Sequence, residues 1–399
     1  MRILLITSSL PYPPTSGGAL RAYGILHGLA QAGHEISLLT FHEAELNDAS
    51  PLKQLCQRII SIPNPHRSKS QRLRDLLFTR HADIARRLDS PQMRQTLIQW
   101  LKEIPFDLVQ FEGIEVACYL PDVRRHAPQV KYIFDTFNAE AELQRAIYAI
   151  DRANPRRWHA ALYSWLQVER IARYERDLCR QADAVIAVSA EDHAILSRYR
   201  DDQRTFIVSS GIFVDDYQAT DQHDLGERSL VFSGKMDYRP NVDAMLWFSH
   251  EILTKLHDVH LTIVGQKPAP AITALAQTGL VQVTGFVEQV APYLRGAQVY
   301  IAPLRMGSGT RLKLLEAMAC GCAIVATPLA AAGLSPACLR AMRIAHTSDE
   351  FTQAINELLS QPHLRATLGK QAQAAVRAEY DWSALLPRLL AIYAEVGLG

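Results

Sequence analysis

Ala302-Pro303-Leu304-Arg305-Met306-Gly307-Ser308-Gly309-Thr310-Arg311-Leu312-Lys313-Leu314-Leu315-Glu316-Ala317-Met318-Ala319-Cys320-Gly321 runs from the end of an apolar strand through a glycine loop into a helix that begins near Thr310. A helix that starts on a glycine loop offers backbone N–H groups and the positive end of its dipole to an anion, so a phosphate is the favoured occupant. Arg311 and Lys313 put two cations into the first turn. The macrodipole opposes them there by roughly a few tenths of a kcal/mol each. A bound diphosphate would reverse that penalty; the alternative is a solvated first turn.

Outward from this stretch, short β-rich runs alternate with helical patterns, which argues for parallel sheets covered by helices. On the C-terminal side strands are expected at residues 230–233, 260–264, 281–286, 299–303 and 323–327. Residues 2–7, 35–41, 58–62, 106–111, 131–135 and 183–188 form an earlier series. These runs are apolar on both faces, as doubly covered parallel strands should be. A helix is expected over residues 18–32, with Leu20, Tyr23, Leu26 and Leu29 at helical spacing and Gly33 closing it. Between the two series, residues 207–225 are rich in turn formers and polar groups. The expected organisation is therefore two Rossmann-like, doubly wound α/β domains, residues 1–210 and 211–378, with a helical segment 379–399 returning to the first. Ligands of such sheets sit at the carboxyl ends of the strands, which places the expected site in a cleft where the two domains face each other.

Composition narrows the function classes. The chain has 399 residues, 48% apolar and 21% charged, with formal net charge +1. That excludes a nucleic-acid partner held by bulk charge. The six cysteines, Cys56, Cys118, Cys179, Cys320, Cys322 and Cys338, form no Cys-x-x-Cys pair. They read as buried small hydrophobes in a reducing, cytoplasmic compartment. No run of about twenty apolar residues is present, and Met1–Leu10 reads as a first strand rather than a leader.

The first strand is followed by Ser8-Ser9-Leu10-Pro11-Tyr12-Pro13-Pro14-Thr15-Ser16-Gly17-Gly18, too long for the dinucleotide Gly-x-Gly-x-x-Gly turn. A nicotinamide enzyme is disfavoured. Gly17 and Gly18 would still let backbone N–H groups approach an anion or a sugar closely, against the plainer reading of a glycine-capped turn. Glu112 ends an apolar strand, where a carboxylate is poorly placed for stability, and so is a candidate catalytic or acceptor-binding group. Asn138 and Glu140, past the end of the next strand, are candidates of the same kind. His27 and His34 read as structural. No Asp-x-Asp occurs, so no metal site is expected.

Several ordered motifs together resemble one family. Gly234-Lys235-Met236-Asp237-Tyr238-Arg239-Pro240-Asn241-Val242-Asp243, Thr262-Ile263-Val264-Gly265, Thr284-Gly285-Phe286-Val287 and Leu315 to Gly321 are similar in order to the C-terminal domain of GT-B glycosyltransferases, specifically the retaining family 4. Pro11 to Pro14 with Gly17-Gly18, and Ala182 to Ser189, resemble its N-terminal domain. The exopolysaccharide and lipopolysaccharide subgroup is the nearest in pattern. The resemblance implies that Glu316 holds the nucleotide ribose hydroxyls and that Lys235 faces the diphosphate. It also implies that Phe286 and Val287 meet the base through their backbone and that Gly17 and Gly18 face the transferred sugar. Ser308, Gly309, Thr310, Arg311, Lys313 and Leu315 complete the nucleotide-sugar set, with Arg239 as a further cation. This sequence departs from the family at Ser308 and Pro240, where a glutamate and a second phosphate cation are usual, and at Phe137 and Ala332, where a histidine and a glutamate are common.

The implied function is transfer of a sugar, of hexosyl type, from a nucleotide diphosphate sugar to a saccharide or lipid-linked acceptor, with retention and without metal or other cofactor. Lys235, Arg311, Glu112 and Asn138 are the catalytic candidates. Glu316 is expected to be ionised, its pKa lowered by the helix dipole and by Arg311 and Lys313. Alternatives are a sugar-nucleotide 2-epimerase of the same fold and a catalytically silent nucleotide-sugar-binding module. Residues 67–102, with Arg67, Lys69, Arg72, Arg74, Arg80, Arg86, Arg87 and Arg94 among apolar residues, form a basic amphipathic segment suited to an anionic membrane surface. A peripheral position on the inner face of the cell membrane would follow. Trp158, Tyr163 and Trp165 could flank a lipid or saccharide, but core is the simpler reading.

Overall fold

Strands whose side chains are apolar on both faces need cover on both sides, and the structure provides it twice. The computed structural model describes residues 1–14, 16–43, 47, 50–152, 158–306 and 312–398. The first sheet is built from β1 (Arg2–Thr7), β2 (Glu35–His42), β3 (Arg58–Pro63), β4 (Leu108–Glu112), β5 (Lys131–Asp135), β6 (Ala184–Ala187) and β7 (Thr205–Ile207). Its strands are all parallel, in the order β3-β2-β1-β4-β5-β6-β7. The second sheet holds β8 (Ser229–Ser233), β9 (His260–Val264), β10 (Val281–Val283), β11 (Val299–Ala302), β12 (Ile324–Ala326) and β13 (Arg343–Ile344). Its order is β10-β9-β8-β11-β12-β13, again all parallel. Each sheet is a doubly wound Rossmann-like layer. In each, strand order reverses beside its first strand, and this switch point is where such sheets open a crevice for ligands.

The chain divides into two compact units, one of residues 1–210 with 385–399 and one of residues 211–384. In the first, the helix Gly17–Gln31 is capped by Ser16, whose side chain accepts from the Ala19 N–H, and is closed by Gly33 at φ +81°. Its neighbour from the C-terminal segment comes so close that a methyl on Gly28 would stand 3.0 Å from Leu386 Cδ1. The second unit carries the helices Ser348–Ser360 and Pro362–Tyr380, and Asp381 Oδ2 accepts from the Val214 N–H at 2.9 Å.

Three sequence expectations are corrected. The strand expected over 281–286 stops at Val283, because Gly285 at φ +72° turns the chain out of the sheet. Residues 67–102 are not one amphipathic element but the helices Lys69–Phe78, Asp83–Arg87 and Pro91–Glu103. Their arginines are largely matched: Arg67 pairs with Asp75 and Asp83, and Arg94 with Asp89 and Asp122. Trp158 and Trp165 are not core, being 67% and 56% exposed. The helix Trp158–Gln181 buries Ile171, Ala172, Leu178 and Cys179 in its second half instead. Among the described residues no helix is long and apolar enough to cross a membrane.

Candidate active site

In the first unit the carboxyl ends of β1, β4 and β5 stand side by side, with Thr7, Glu112 and Asp135 in register as lateral neighbours. Two carboxylates on adjacent strands repel, and a buried pair needs a cation. Arg21 supplies it from the helix Gly17–Gln31. Its Nε donates to Asp135 Oδ1 at 3.0 Å, and one terminal nitrogen donates to both carboxylate oxygens at 2.9 and 2.8 Å. The other terminal nitrogen donates to the Val208 carbonyl at 2.8 Å, and neither Arg21 nor Asp135 retains any exposed side-chain surface.

Among the described residues no cation contacts Glu112 in this way. Gln110 Nε2 donates to its Oε1 at 2.6 Å, and Tyr393 holds Gln110 in place by donating to its side-chain oxygen. Among the described residues, Glu112 Oε2 is buried with no hydrogen-bond partner. Burial, reinforced by the Asp135 charge, pushes the Glu112 carboxyl up to about 8, with Arg21 and Gln110 opposing. Burial also raises Asp135, but the guanidinium fork opposes this directly. Glu112 is therefore the member of the pair that carries the proton at neutral pH. The sequence placed it at an open strand end; the structure encloses it.

Gly17 is exposed and Gly18 partly so, at the N-terminus of their helix. The Phe137 ring fills the space beside Gly18. A Cβ on Gly18 would lie 3.3 Å from that ring, and one on Gly113, at φ +99°, would lie 3.1 Å from it. Asn138 Nδ2 donates to Glu140 Oε1 at 3.1 Å, at the start of the helix Glu140–Arg152. Two carboxylates from elsewhere in the chain cap that start. Asp192 Oδ1 accepts from the Ala139 N–H at 2.8 Å, and Glu175 Oε1 from the Glu140 N–H at 2.6 Å. Negative charge suits this end of a helix. Burial raises Glu140 and Glu175 to about 7 each; the charges of Glu115 and Asp192 add to the rise at Glu140, and those of Glu140 and Asp192 to the rise at Glu175.

In the second unit the ends of β8 and β9 approach so closely that a Cβ on Gly265 would fall 1.8 Å from the Gly234 carbonyl oxygen. Only glycine fits there. Lys313 reaches this spot from the helix Leu312–Ala319. Its Nζ donates to Asn241 Oδ1 at 2.6 Å, lies 4.6 Å from the centre of the Phe232 ring, and stands 2.9 Å from where a Gly234 Cβ would be. Asn241 Nδ2 donates in turn to the Lys235 carbonyl at 2.9 Å. The Lys235 side chain is exposed and sits 3.6 Å from Asp237. The structure thus brings Lys235 and Lys313 to the same strand end. Arg239 is exposed in the first turn of the helix Arg239–Glu251. Ser308, Gly309, Thr310 and Arg311 lie outside the described residues.

Glu316 is one helical turn beyond Lys313, and Tyr217 donates its hydroxyl to Glu316 Oε1 at 3.1 Å. The expectation of a lowered pKa is overturned. Burial raises the Glu316 carboxyl above its ordinary value, and Tyr217 and Lys313 only oppose this. Desolvation outweighs the favourable neighbours. Leu315 is fully buried, so its side chain belongs to the core. Phe286 is 73% exposed on the loop after β10, and Val287 beside it is partly buried. Sequence reading missed Tyr217, which lies in a segment read as a linker. It quoted Asn241, Gly234 and Gly265 without a role; the glycines at the ends of two successive strands were the available signal.

Two family models match the chain: "Glycosyltransferase Family 4" over residues 15–216 and "Glycosyl transferases group 1" over residues 227–361. A phosphatidyl-myo-inositol mannosyltransferase of Propionibacterium freudenreichii is 27% identical over 263 residues, covering 63% of this chain and 66% of that protein. The protein of the same name from Mycolicibacterium smegmatis is 24% identical over 382 residues, 92% of this chain and 87% of its own length. Among solved structures, a sucrose-phosphate synthase from Thermosynechococcus elongatus superposes with a TM-score of 0.70 at 16% identity, over 99% of both chains. That last likeness is one of fold, GT-B.

Proposed function

The chain belongs to glycosyltransferase family 4, and from that premise we propose that this glycosyltransferase moves a hexosyl group from a nucleotide diphosphate sugar to a saccharide or lipid-linked acceptor, retaining anomeric configuration and using no metal. The observation that carries the reading is the strand-end platform of Gly234 and Gly265 with Lys313 fixed over it by Asn241. Backbone that admits no side chain, beside a held ammonium group, suits close approach by a diphosphate.

In this reading the bond from the anomeric carbon to the β-phosphate oxygen breaks, and negative charge gathers on the departing diphosphate. Lys235, Lys313 and Arg311, with the backbone donors of the loop from Ser308 to Thr310, stabilise that charge. The acceptor hydroxyl attacks the anomeric carbon from the face the leaving group vacates, and the departing phosphate oxygen takes its proton. Glu316, anchored by Tyr217, accepts from the ribose hydroxyls. Gly17 and Gly18 face the sugar, Phe286 and Val287 the base, and Arg239 is a reserve phosphate contact. Glu112 at the end of β4 and Asn138 beyond the end of β5 act at the acceptor side.

A lipid-linked acceptor at an anionic, cytoplasmic membrane surface is supported by the names of the two mannosyltransferase relatives. It is also supported by the exposed Leu73, Phe78, Trp158, Leu162 and Trp165 on two helices joined where Arg170 donates to the Leu76 carbonyl. The test is to incubate purified protein with a panel of nucleotide sugars and lipid-phosphate and saccharide acceptors, with excess chelator, and to assign the product anomer by NMR. Inverted product, or activity lost with chelator and restored by magnesium or manganese, would refute the retaining, metal-free scheme.

A further inference from the structure

A cavity of about 420 Å³ opens in the first unit among the helices Asp83–Arg87, Pro91–Glu103 and Trp158–Gln181. That volume is within the range of small-molecule sites. Its wall holds five arginines, Arg80, Arg86, Arg94, Arg170 and Arg173, against two aspartates, Asp89 and Asp177. Asp89 is already shared: Arg86 donates to one of its oxygens at 2.8 Å and Arg94 to the other at 2.9 Å. Arg94 also pairs with Asp122.

Two of these guanidinium groups are incompletely satisfied. Among the described residues, Arg86 Nε and one terminal nitrogen of Arg170 are buried with no hydrogen-bond partner. The other terminal nitrogen of Arg170 donates to the Leu76 carbonyl at 2.9 Å, which fixes that side chain in place. A buried N–H on a permanent cation without an acceptor is strongly unfavourable, and natural proteins leave few of them. Arginine cannot escape by losing its proton. An excess of like charge around a small cavity with donors held ready is the arrangement that a phosphate group satisfies, because each of its oxygens accepts several charge-assisted bonds.

We propose that this cavity is a binding site for a phosphate monoester or diphosphate group. It shares no residue with the nucleotide-sugar set and does not rest on the donor reading above. The phosphate has two possible sources, a soluble phosphorylated compound or a phospholipid headgroup.

The test compares the full-length protein with R86Q/R170Q at constant ionic strength. Inorganic phosphate, pyrophosphate and glycerol 3-phosphate are the soluble probes, read by thermal shift and calorimetry. Phosphatidylcholine vesicles with and without phosphatidic acid are the lipid probes, read by sedimentation. The variant should bind the relevant probe at least about tenfold more weakly while binding nucleoside diphosphate as the wild type does. Loss of soluble-phosphate binding assigns the soluble source. Loss confined to phosphatidic acid vesicles assigns the headgroup. Equal responses of wild type and variant to every probe would overturn the site. Should R86Q/R170Q fail to fold, R173Q, altered at a half-exposed side chain on the wall, should weaken phosphate binding about threefold with melting unchanged. No effect of R173Q in that case would overturn it as well.

Discussion

Replacing Glu112 by glutamine should remove most of a pH-dependent loss of stability in the first unit. Glutamine keeps the shape and an oxygen that can accept the 2.6 Å bond from Gln110, and it cannot ionise beside Asp135. In the wild type the folded-state pKa is raised from 4.5 to about 8. The sign follows directly. Between these values the unfolded chain has released the Glu112 proton and the folded chain has kept it. The folded state binds more protons, so stability falls as pH rises. The contribution is fully present below about 4.5, declines through the window and is gone above about 8. At about 1.4 kcal/mol per pH unit the loss would approach 5 kcal/mol, and relaxation around an ionised Glu112 reduces it to about 2–5 kcal/mol. Urea unfolding of both proteins, followed at about pH 5 and about pH 9, gives the answer as a difference of differences. The glutamine variant should match the wild type at the acid end and exceed it by that amount at the alkaline end. A gap independent of pH would refute the assignment of the proton to Glu112.

Lys313→Ala should weaken nucleoside diphosphate binding by about 1.5–3 kcal/mol, the worth of a charge-assisted contact, and nucleoside monophosphate binding by less; equal losses in calorimetry would remove Lys313 from the β-phosphate. Glu316→Gln should raise the donor KM several-fold with a smaller change in kcat, since a contact shared by ground and transition states acts on binding; steady-state kinetics showing a collapse of kcat at saturating donor would instead place Glu316 in the chemical step. Gly265→Ala would put a methyl group 1.8 Å from the Gly234 carbonyl oxygen, and the backbone shift needed should cost about 1–3 kcal/mol and lower donor affinity; a variant with wild-type melting and donor binding would contradict the close approach of β8 and β9.

Much of the fold was legible in the residue order because its determinants are local. A strand buried on both faces must be a short apolar run, and β1, β5 and β9 lie where those runs predict them. Gly33, expected to close the helix after β1, is a local signal of the same kind and does so at φ +81°. The edge strands β7 and β13, three and two residues long, were missed because runs so short carry no period. Phe286 was read as the end of a strand because the apolar pattern continues past Gly285, whose positive φ breaks the ladder.

The electrostatics of the candidate site depend on tertiary structure. Arg21 and Asp135 are 114 positions apart, and their pairing depends on how one helix lies across the sheet. Sequence spacing could not show that Glu112 stands laterally beside Asp135 or that its second oxygen has no partner among the described residues. Glu316 makes the point most directly: its neighbours along the helix argued for a lowered pKa, whereas desolvation raises it. Local spacing shows which groups share a helix turn. Burial depends on everything packed around them, and the free energy of a charge in protein is governed more by that surrounding medium than by sequence neighbours.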